Sequence, residues 1–416
     1  MNTAAALLEQ GCDVEIFALD GQGQAEVLNE PGQCHDLLSR THVVMDTSAS
    51  RLARWRAAPP VARAIVRNHG LGALASSLNV RYHRRRAIST RALGELALFK
   101  SRPPFDLFHC QFGTLGEKMR RHLAAGGIDA PLVVHFRGHD LGPYVQRQGP
   151  DCYRPLFATA RQFIANSAYF RDRAVALGCP PDRIRVIESP VDIDSFPWRA
   201  PRPETDRPLR LLTVGRLVEK KGIAYAIEAA ALLKARGHAL SYRIIGEGNL
   251  RADLQAKIAA SGLSDSVTLE GSRAHGHIAQ ALHEADLFLA PSVVAANGDA
   301  DAAINTIKEA MLVGVPVVAT CHGGIPELVC SGETGLLVPE RDAAALAQAV
   351  ERMIAESDRW APMARAARLS VETRFGMPQI AAQTLRVYQE ALAGKAIGGK
   401  QPGLQNRKAL PSGGRE

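Results

Sequence analysis

The sequence predicts an α/β protein of two domains, each a mostly parallel sheet wrapped in helices. Three observations carry that expectation. At 416 residues the chain exceeds one ordinary hydrophobic core. Short, largely apolar β-type runs alternate with amphipathic helical stretches throughout, the pattern of buried parallel strands. Across 196–208, Pro197, Pro201, Pro203 and Pro208 interrupt the alternation, fix φ and remove backbone donors, so the linker falls there.

Within the N-terminal domain, residues 1–195, a helix is expected over 2–10, ended by Gly11. Strands are expected at 14–17, 105–108, 132–136 and 162–165. A doubly wound domain ordinarily opens on a strand and a loop before its first helix. Here that first strand is expected to be missing, as in a chain read from an internal start or a truncated one. The C-terminal domain, 209–370, has strands expected at 209–214, 241–245, 266–269, 287–289 and 315–319. Helices over 371–394 are expected to pack back toward the first domain. The stretch 395–416, rich in glycine and proline with little apolar content, reads as a disordered tail.

An apolar fraction of 46% and a charged fraction of 22% are ordinary for a globular chain and argue against extensive disorder. The net charge of +8 is unevenly placed: between Arg51 and Lys100 eleven lysines and arginines, Arg84, Arg85 and Arg86 among them, face only Glu95. Such a stretch is either a solvated helix face or a surface for an anionic partner. Its few aromatics argue against nucleic acid. The seven cysteines are scattered without a C-x-x-C pair, which favours neither a disulfide framework nor a zinc site and fits a reducing compartment. No apolar run approaches the ~20 residues of a membrane span, and no signal peptide is visible. The expected location is the cytoplasm.

Four short motifs carry chemistry. Residues 211–222 read as a strand, the turn glycine Gly215, the cations Arg216 and Lys221, then a helix from about Ile223. A strand-to-helix loop in an open α/β sheet points at the ligand crevice. There Gly215 permits close backbone approach and the two cations suit a diphosphate, although the loop lacks the G-K-[ST] of a P-loop. Gly246-Glu247-Gly248 closes a second strand but lacks the third glycine of a dinucleotide fingerprint, so by itself a plain tight turn is the favoured reading. Asp301 and Glu309 stand eight apart around a helix start. The backbone N–H groups of Asn305, Thr306 and Ile307 are expected to be free for phosphate, with Glu309 on vicinal hydroxyls. The plainer reading is an N-capping Asp301 and a surface Glu309. His322-Gly323-Gly324-Ile325-Pro326-Glu327 forms a tight loop after another strand.

In this order, Gly-Arg-x4-Lys-Gly, Gly-x-Gly, Asp-x7-Glu and His-Gly-Gly-x-Pro-Glu resemble glycosyltransferase family 4, the "group 1" enzymes, especially members making exopolysaccharide and colanic acid. The resemblance runs from about Cys12 to Leu392. It implies the GT-B fold, two facing Rossmann-like domains with a deep cleft between them, and retaining transfer of a sugar from a nucleoside diphosphate. It implies that Arg216 and Lys221 hold the diphosphate, that Glu309 binds ribose and that Asp301 faces the transferred sugar. The family has glutamate at that last position, so the aspartate is about one methylene short. His109, Arg137 and His139, in segments like the family's H-G-x-D, are expected on the acceptor side. No metal and no cofactor beyond the donor substrate are implied. The expected partners are a nucleoside-diphosphate sugar, a lipid-linked saccharide acceptor and an anionic membrane surface. The alternatives are a nucleotide-sugar-binding protein without transfer activity and a sugar-nucleotide epimerase of the same fold.

Overall fold

The computed structural model describes residues 2–18, 35–43, 51–88, 90–201, 203, 206–302 and 304–393. The expected tail, 395–416, lies outside the described residues. Among the described residues twelve strands form three sheets, and every strand-to-strand pairing is parallel. In the first half, β1 (Ile16–Ala18) pairs with β2 (Thr41–Val43) as a two-stranded sheet. Next come β3 (Phe108–Cys110), β4 (Leu132–Phe136), β5 (Gln162–Ala165) and β6 (Ile184–Val186), which form a separate four-stranded sheet in that order. Among the described residues β1 and β3 belong to separate sheets and are not paired with each other. The second half holds β7 (Leu209–Val214), β8 (Leu240–Ile245), β9 (Val267–Gly271), β10 (Leu287–Ala290), β11 (Val317–Thr320) and β12 (Leu336–Val338). Their order, β12-β11-β10-β7-β8-β9, is that of a doubly wound Rossmann sheet.

Burial explains which strands were predictable. β4, β10 and β11 are buried at every residue, as central parallel strands must be, and each is mostly apolar in the sequence, interrupted only by His135 in β4 and Thr320 in β11. β2, β6 and β12 are three-residue edge strands with mixed burial, too short to leave such a run, and they were not anticipated. β3 starts three residues later than expected. Pairing begins at Phe108, whose N–H donates to the Pro131 carbonyl, while Phe105 packs its ring against Phe17 and Phe108 from the preceding loop.

Two cores flank the second sheet, one built on Ile227, Ile244 and Leu346, the other on Ile307, Met311 and Phe375. Phe196, at the head of the proline-rich linker, is buried in the second of these, so this stretch is anchored to the C-terminal half. The last helix, Met377–Ala393, returns to the first half: Ile380 and Val387 pack on Val133 of β4 and Ile164 of β5.

Candidate active site

In an open α/β sheet ligands bind where the strand order reverses, outside the carboxyl ends of the strands. Here that point lies between β7 and β10, the first and fourth strands of the half. The loop after β7 carries Gly215, Arg216, Lys220 and Lys221; the loop after β10 carries Ser292, Asp299 and Asp301. The fold therefore brings the first and third sequence motifs together.

The centre of the site is a buried ion cluster. The Lys221 ammonium lies 2.9 Å from Oδ2 of Asp301, and the Lys220 ammonium lies 3.3 Å from its Oδ1 and 3.1 Å from Asp299. The Ser292 hydroxyl donates to Oδ2 of Asp301 at 3.0 Å. Burial by itself would raise the Asp301 carboxyl, but Lys221 and Lys220 outweigh it and hold the group at about 2. Lys220, to which the sequence motif assigns no role, is thus as much a part of the cluster as Lys221. Arg216 differs: it is exposed and makes no ion pair among the described residues.

Two expectations need correction. Asp301 does not cap the helix that follows: the helix is Asn305–Val313, capped by the extended Ile304. The Ile307 N–H is not free either, because it donates to the Ile304 carbonyl at 3.1 Å. What the N-terminus offers is the first turn at Asn305 and Thr306, whose hydroxyl is tied to the Val214 carbonyl at 3.3 Å. Glu309 is half-buried one turn beyond Asn305, on the same helix face.

The two glycine motifs shape this site from behind. A Cβ on Gly246 would sit 1.9 Å from the Gly215 carbonyl oxygen, and one on Gly248 would sit 2.3 Å from that of Leu217. Their role is therefore close backbone support for the Gly215–Lys221 loop. A Cβ on Gly323 would meet the Asp301 carbonyl oxygen at 2.1 Å. Beside it the buried His322 accepts the Asp301 N–H on Nε2 (2.9 Å) and donates from Nδ1 to Glu340 (2.6 Å). The His-Gly-Gly motif thus holds the backbone that presents Asp301. Its Glu327 reaches the other half, accepting the N–H groups of Ala168 and Tyr169 at 2.7 and 2.9 Å at the start of the helix Ala168–Ala176. Neither His322 nor Glu327 carries a spacing that announces such partners.

On the facing half, His109 and Arg137 line one cavity with Asn305 of the helix Asn305–Val313. His109 stacks on His135 with centroids 5.8 Å apart and meets the Tyr388 hydroxyl at 2.7 Å. Burial and then Arg137 push the His109 imidazole down to about 3, so it is neutral at neutral pH. Arg137 also reaches Gln111 and, at 3.4 Å, the Ser189 hydroxyl. His139 is not part of this group; it is exposed and lies 3.2 Å from Arg147. The Asp140 carboxylate is buried and accepts the N–H groups of Gly113, Arg137 and Gly138, binding two loops together.

Lys308 is fully buried between the halves, 2.7 Å from the Ser189 carbonyl, 3.9 Å from Glu188 and 4.3 Å above the Phe375 ring. Burial pushes its ammonium from 10.5 down to about 8. The folded chain then releases this proton earlier than the unfolded one does. Stability from this group is complete above about 10.5 and is lost as pH falls through about 8. Denaturant midpoints should therefore rise across that window more steeply in the parent than in Lys308→Met; parallel profiles would contradict this placement of the charge.

Both halves match known families. Residues 208–356 match "glycosyl transferases group 1", and residues 1–190 match a glycosyl transferase 4-like domain. The amylovoran biosynthesis glycosyltransferase AmsK of Erwinia amylovora is 33% identical over 402 residues, covering 94% of this chain and 96% of its own. The putative colanic acid biosynthesis glycosyltransferase WcaL of Escherichia coli K12 is 33% identical, covering 91% and 93%. Among solved structures, a glycosyltransferase of Rickettsia africae superposes with a TM-score of 0.65 at 17% identity, covering 94% and 93% of the two chains. HepE of Anabaena, in complex with UDP, superposes with 0.62 at 20% identity, covering 90% and 100%. These similarities fix the fold as GT-B.

Proposed function

The chain belongs to the group 1 glycosyltransferases, and from that premise we propose that it moves a sugar from a nucleoside-diphosphate donor to an acceptor hydroxyl, with retention, in surface-polysaccharide synthesis. The supporting observation is the convergence at the β7/β10 crevice of Arg216, two lysines, a carboxylate and the first turn of a helix. The exposed Arg216 and the Lys221 ammonium meet the diphosphate and offset the charge that develops as it departs. As Lys221 turns to phosphate, Lys220 keeps Asp301 paired, so the carboxylate stays ionised toward the sugar. The Asn305 turn adds backbone donors and the positive end of the helix dipole. Glu309 accepts from the ribose hydroxyls. The polysaccharide assignment draws on the two enterobacterial relatives, and a uridine diphosphate donor draws on the nucleotide bound to HepE.

The experiment is incubation of the full chain with UDP-, GDP- and ADP-sugars and a saccharide acceptor, with the anomeric configuration of the product read by NMR. An inverted product would remove the retaining assignment. A second reading, donor binding without transfer, draws on the complete engagement of Asp301 by two lysines and Ser292. Saturable nucleotide binding with no sugar transferred to any acceptor would favour it.

A lipid-linked acceptor and attachment to an anionic membrane belong to the same proposal. In the helical stretch Arg51–Leu78, broken at Gly70, Leu52 and Trp55 before the break and Leu71 after it are 61%, 54% and 72% exposed. Arg63, Arg67, Arg81, Arg84, Arg85 and Arg91 are exposed on this helix and the helices after it; the side chains of Arg51, Arg54 and Arg86 lie outside the described residues. No helix among the described residues is long and apolar enough to cross a membrane. Each cation near an anionic surface is worth ~1 kcal/mol before screening. Flotation with anionic vesicles should fall with salt and with Arg81, Arg84 and Arg85 changed to alanine; equal flotation with neutral vesicles would contradict the proposal.

A further inference from the structure

Asp301 closes a segment outside helix and strand, 294–301, which lies between β10 and the helix Asn305–Val313. An irregular stretch keeps its place through the donors and acceptors that neighbouring groups lend its backbone. The middle of this one docks on the first half. Ala300 is buried in the core that holds Phe170, and a Cβ on Gly142 would sit 2.3 Å from the Gly298 carbonyl oxygen. Its two ends converge on one carboxylate of the second half. Oε2 of Glu340 accepts the Val294 N–H at 2.9 Å, and Oε1 accepts from Nδ1 of His322 at 2.6 Å. His322 passes that hold on, because its Nε2 accepts the Asp301 N–H at 2.9 Å. Arg341, 3.3 Å from Glu340, also donates to the Val294 carbonyl.

Strand register brings the two side chains together. β11 and β12 pair with Thr320 opposite Val338, and the ladder continues one step as the Cys321 N–H donates to the Val338 carbonyl at 2.7 Å. His322 follows Thr320, and Glu340 follows Val338, by the same two residues, so they stand side by side. Hydrogen-bond chemistry then selects one form of the imidazole. Nε2 accepts an N–H only when it carries no proton, so the proton belongs on Nδ1, and an acceptor facing Nδ1 keeps it there. Glu340 is that acceptor. A neutral amide in its place has one oxygen and cannot accept from both His322 and Val294.

We propose that Glu340 and His322 are positioning residues for Asp301. Glu340 selects the Nδ1–H form of His322 and clamps both ends of 294–301, which sets where the Asp301 carboxylate stands against the transferred sugar. The consequence for transfer rests on the function proposed above. Lys220 and Lys221 hold the carboxylate itself, whereas this pair holds its backbone. Lys221 and Asn305, assigned there to the donor, lie on other segments and stay in place when the pair is broken.

The test compares the full chain with Glu340→Gln, His322→Gln and His322→Asn. The tautomer of His322 is read by NMR of protein labelled in its imidazole nitrogens, and amide exchange is followed across 294–301. Turnover is read as UDP released from UDP-glucose with a saccharide acceptor present. In Glu340→Gln the His322 proton should move to Nε2, and exchange across 294–301 should quicken about tenfold. There kcat should fall about tenfold or more, while KM for UDP-glucose stays within about threefold. A glutamine at 322 offers an acceptor near the place of Nε2, and an asparagine offers one nearer Nδ1. His322→Gln should therefore keep most of the turnover that His322→Asn loses, whereas a purely structural role predicts equal losses. A parent without turnover would sink the proposed function, and the tautomer and exchange would still judge the pair. A parent carrying the His322 proton on Nε2 would overturn the proposal whatever the variants do. So would an unchanged tautomer in Glu340→Gln, or equal losses in the two His322 variants.

Discussion

Alanine in place of Lys221 is expected to lower sugar transfer by ~10²–10³-fold, the usual cost of removing one preorganised donor aimed at developing charge. The Lys221 side chain runs alongside Gly215, at the carboxyl end of β7, where the proposed donor diphosphate would sit. Stability should change far less, because Lys220 at 3.3 Å and the Ser292 hydroxyl at 3.0 Å still partner the Asp301 carboxylate. The measurement is initial-rate transfer with saturating donor, alongside a melting curve. Transfer within about threefold of the parent would place the diphosphate elsewhere, since a lost charge-assisted contact costs more than that.

The second large effect is structural. Asp140→Ala removes the acceptor for three buried N–H groups, those of Gly113, Arg137 and Gly138 at 2.9, 3.0 and 2.8 Å. Each orphaned donor costs about 1–3 kcal/mol. Together they consume much of the ~5–15 kcal/mol that holds an ordinary fold. Denaturant titration should show a loss of several kcal/mol for Asp140→Ala and a smaller loss for Asp140→Asn, which keeps one acceptor oxygen. Equal losses for the two would mean that the carboxylate acts through its charge and not through these bonds.

Asp140 also marks where sequence reading succeeds and where it stops. The segment His135–Asp140 was recognisable as a loop at a strand end, and so was placed near the cleft. That its aspartate faces inward to two loops, while His139 faces solvent, depends on the helix Gly113–Ala124 coming alongside. The same holds at the β7/β10 crevice. Gly215, Arg216, Lys221, Asp301 and Glu309 were legible because local order, strand then glycine then cation then helix, dictates where each falls on a doubly wound sheet. Lys220 was passed over because adjacent lysines look alike until one is buried against Asp299 and Asp301. His322 and Lys308 act across 21 and 119 residues of chain, and no local period encodes a contact of that separation. That β1 and β3 fall in separate sheets beside one cavity has no local signal in the sequence.

The central claim is that the donor nucleotide binds at the β7/β10 crevice of the second half. Amide-exchange footprinting of the full chain with and without UDP tests it most directly. Slowed exchange at residues 215–222 and 305–309, weakened in Arg216→Ala and Lys221→Ala, is the predicted result. Protection confined to the first half, or binding untouched by both substitutions, would contradict it.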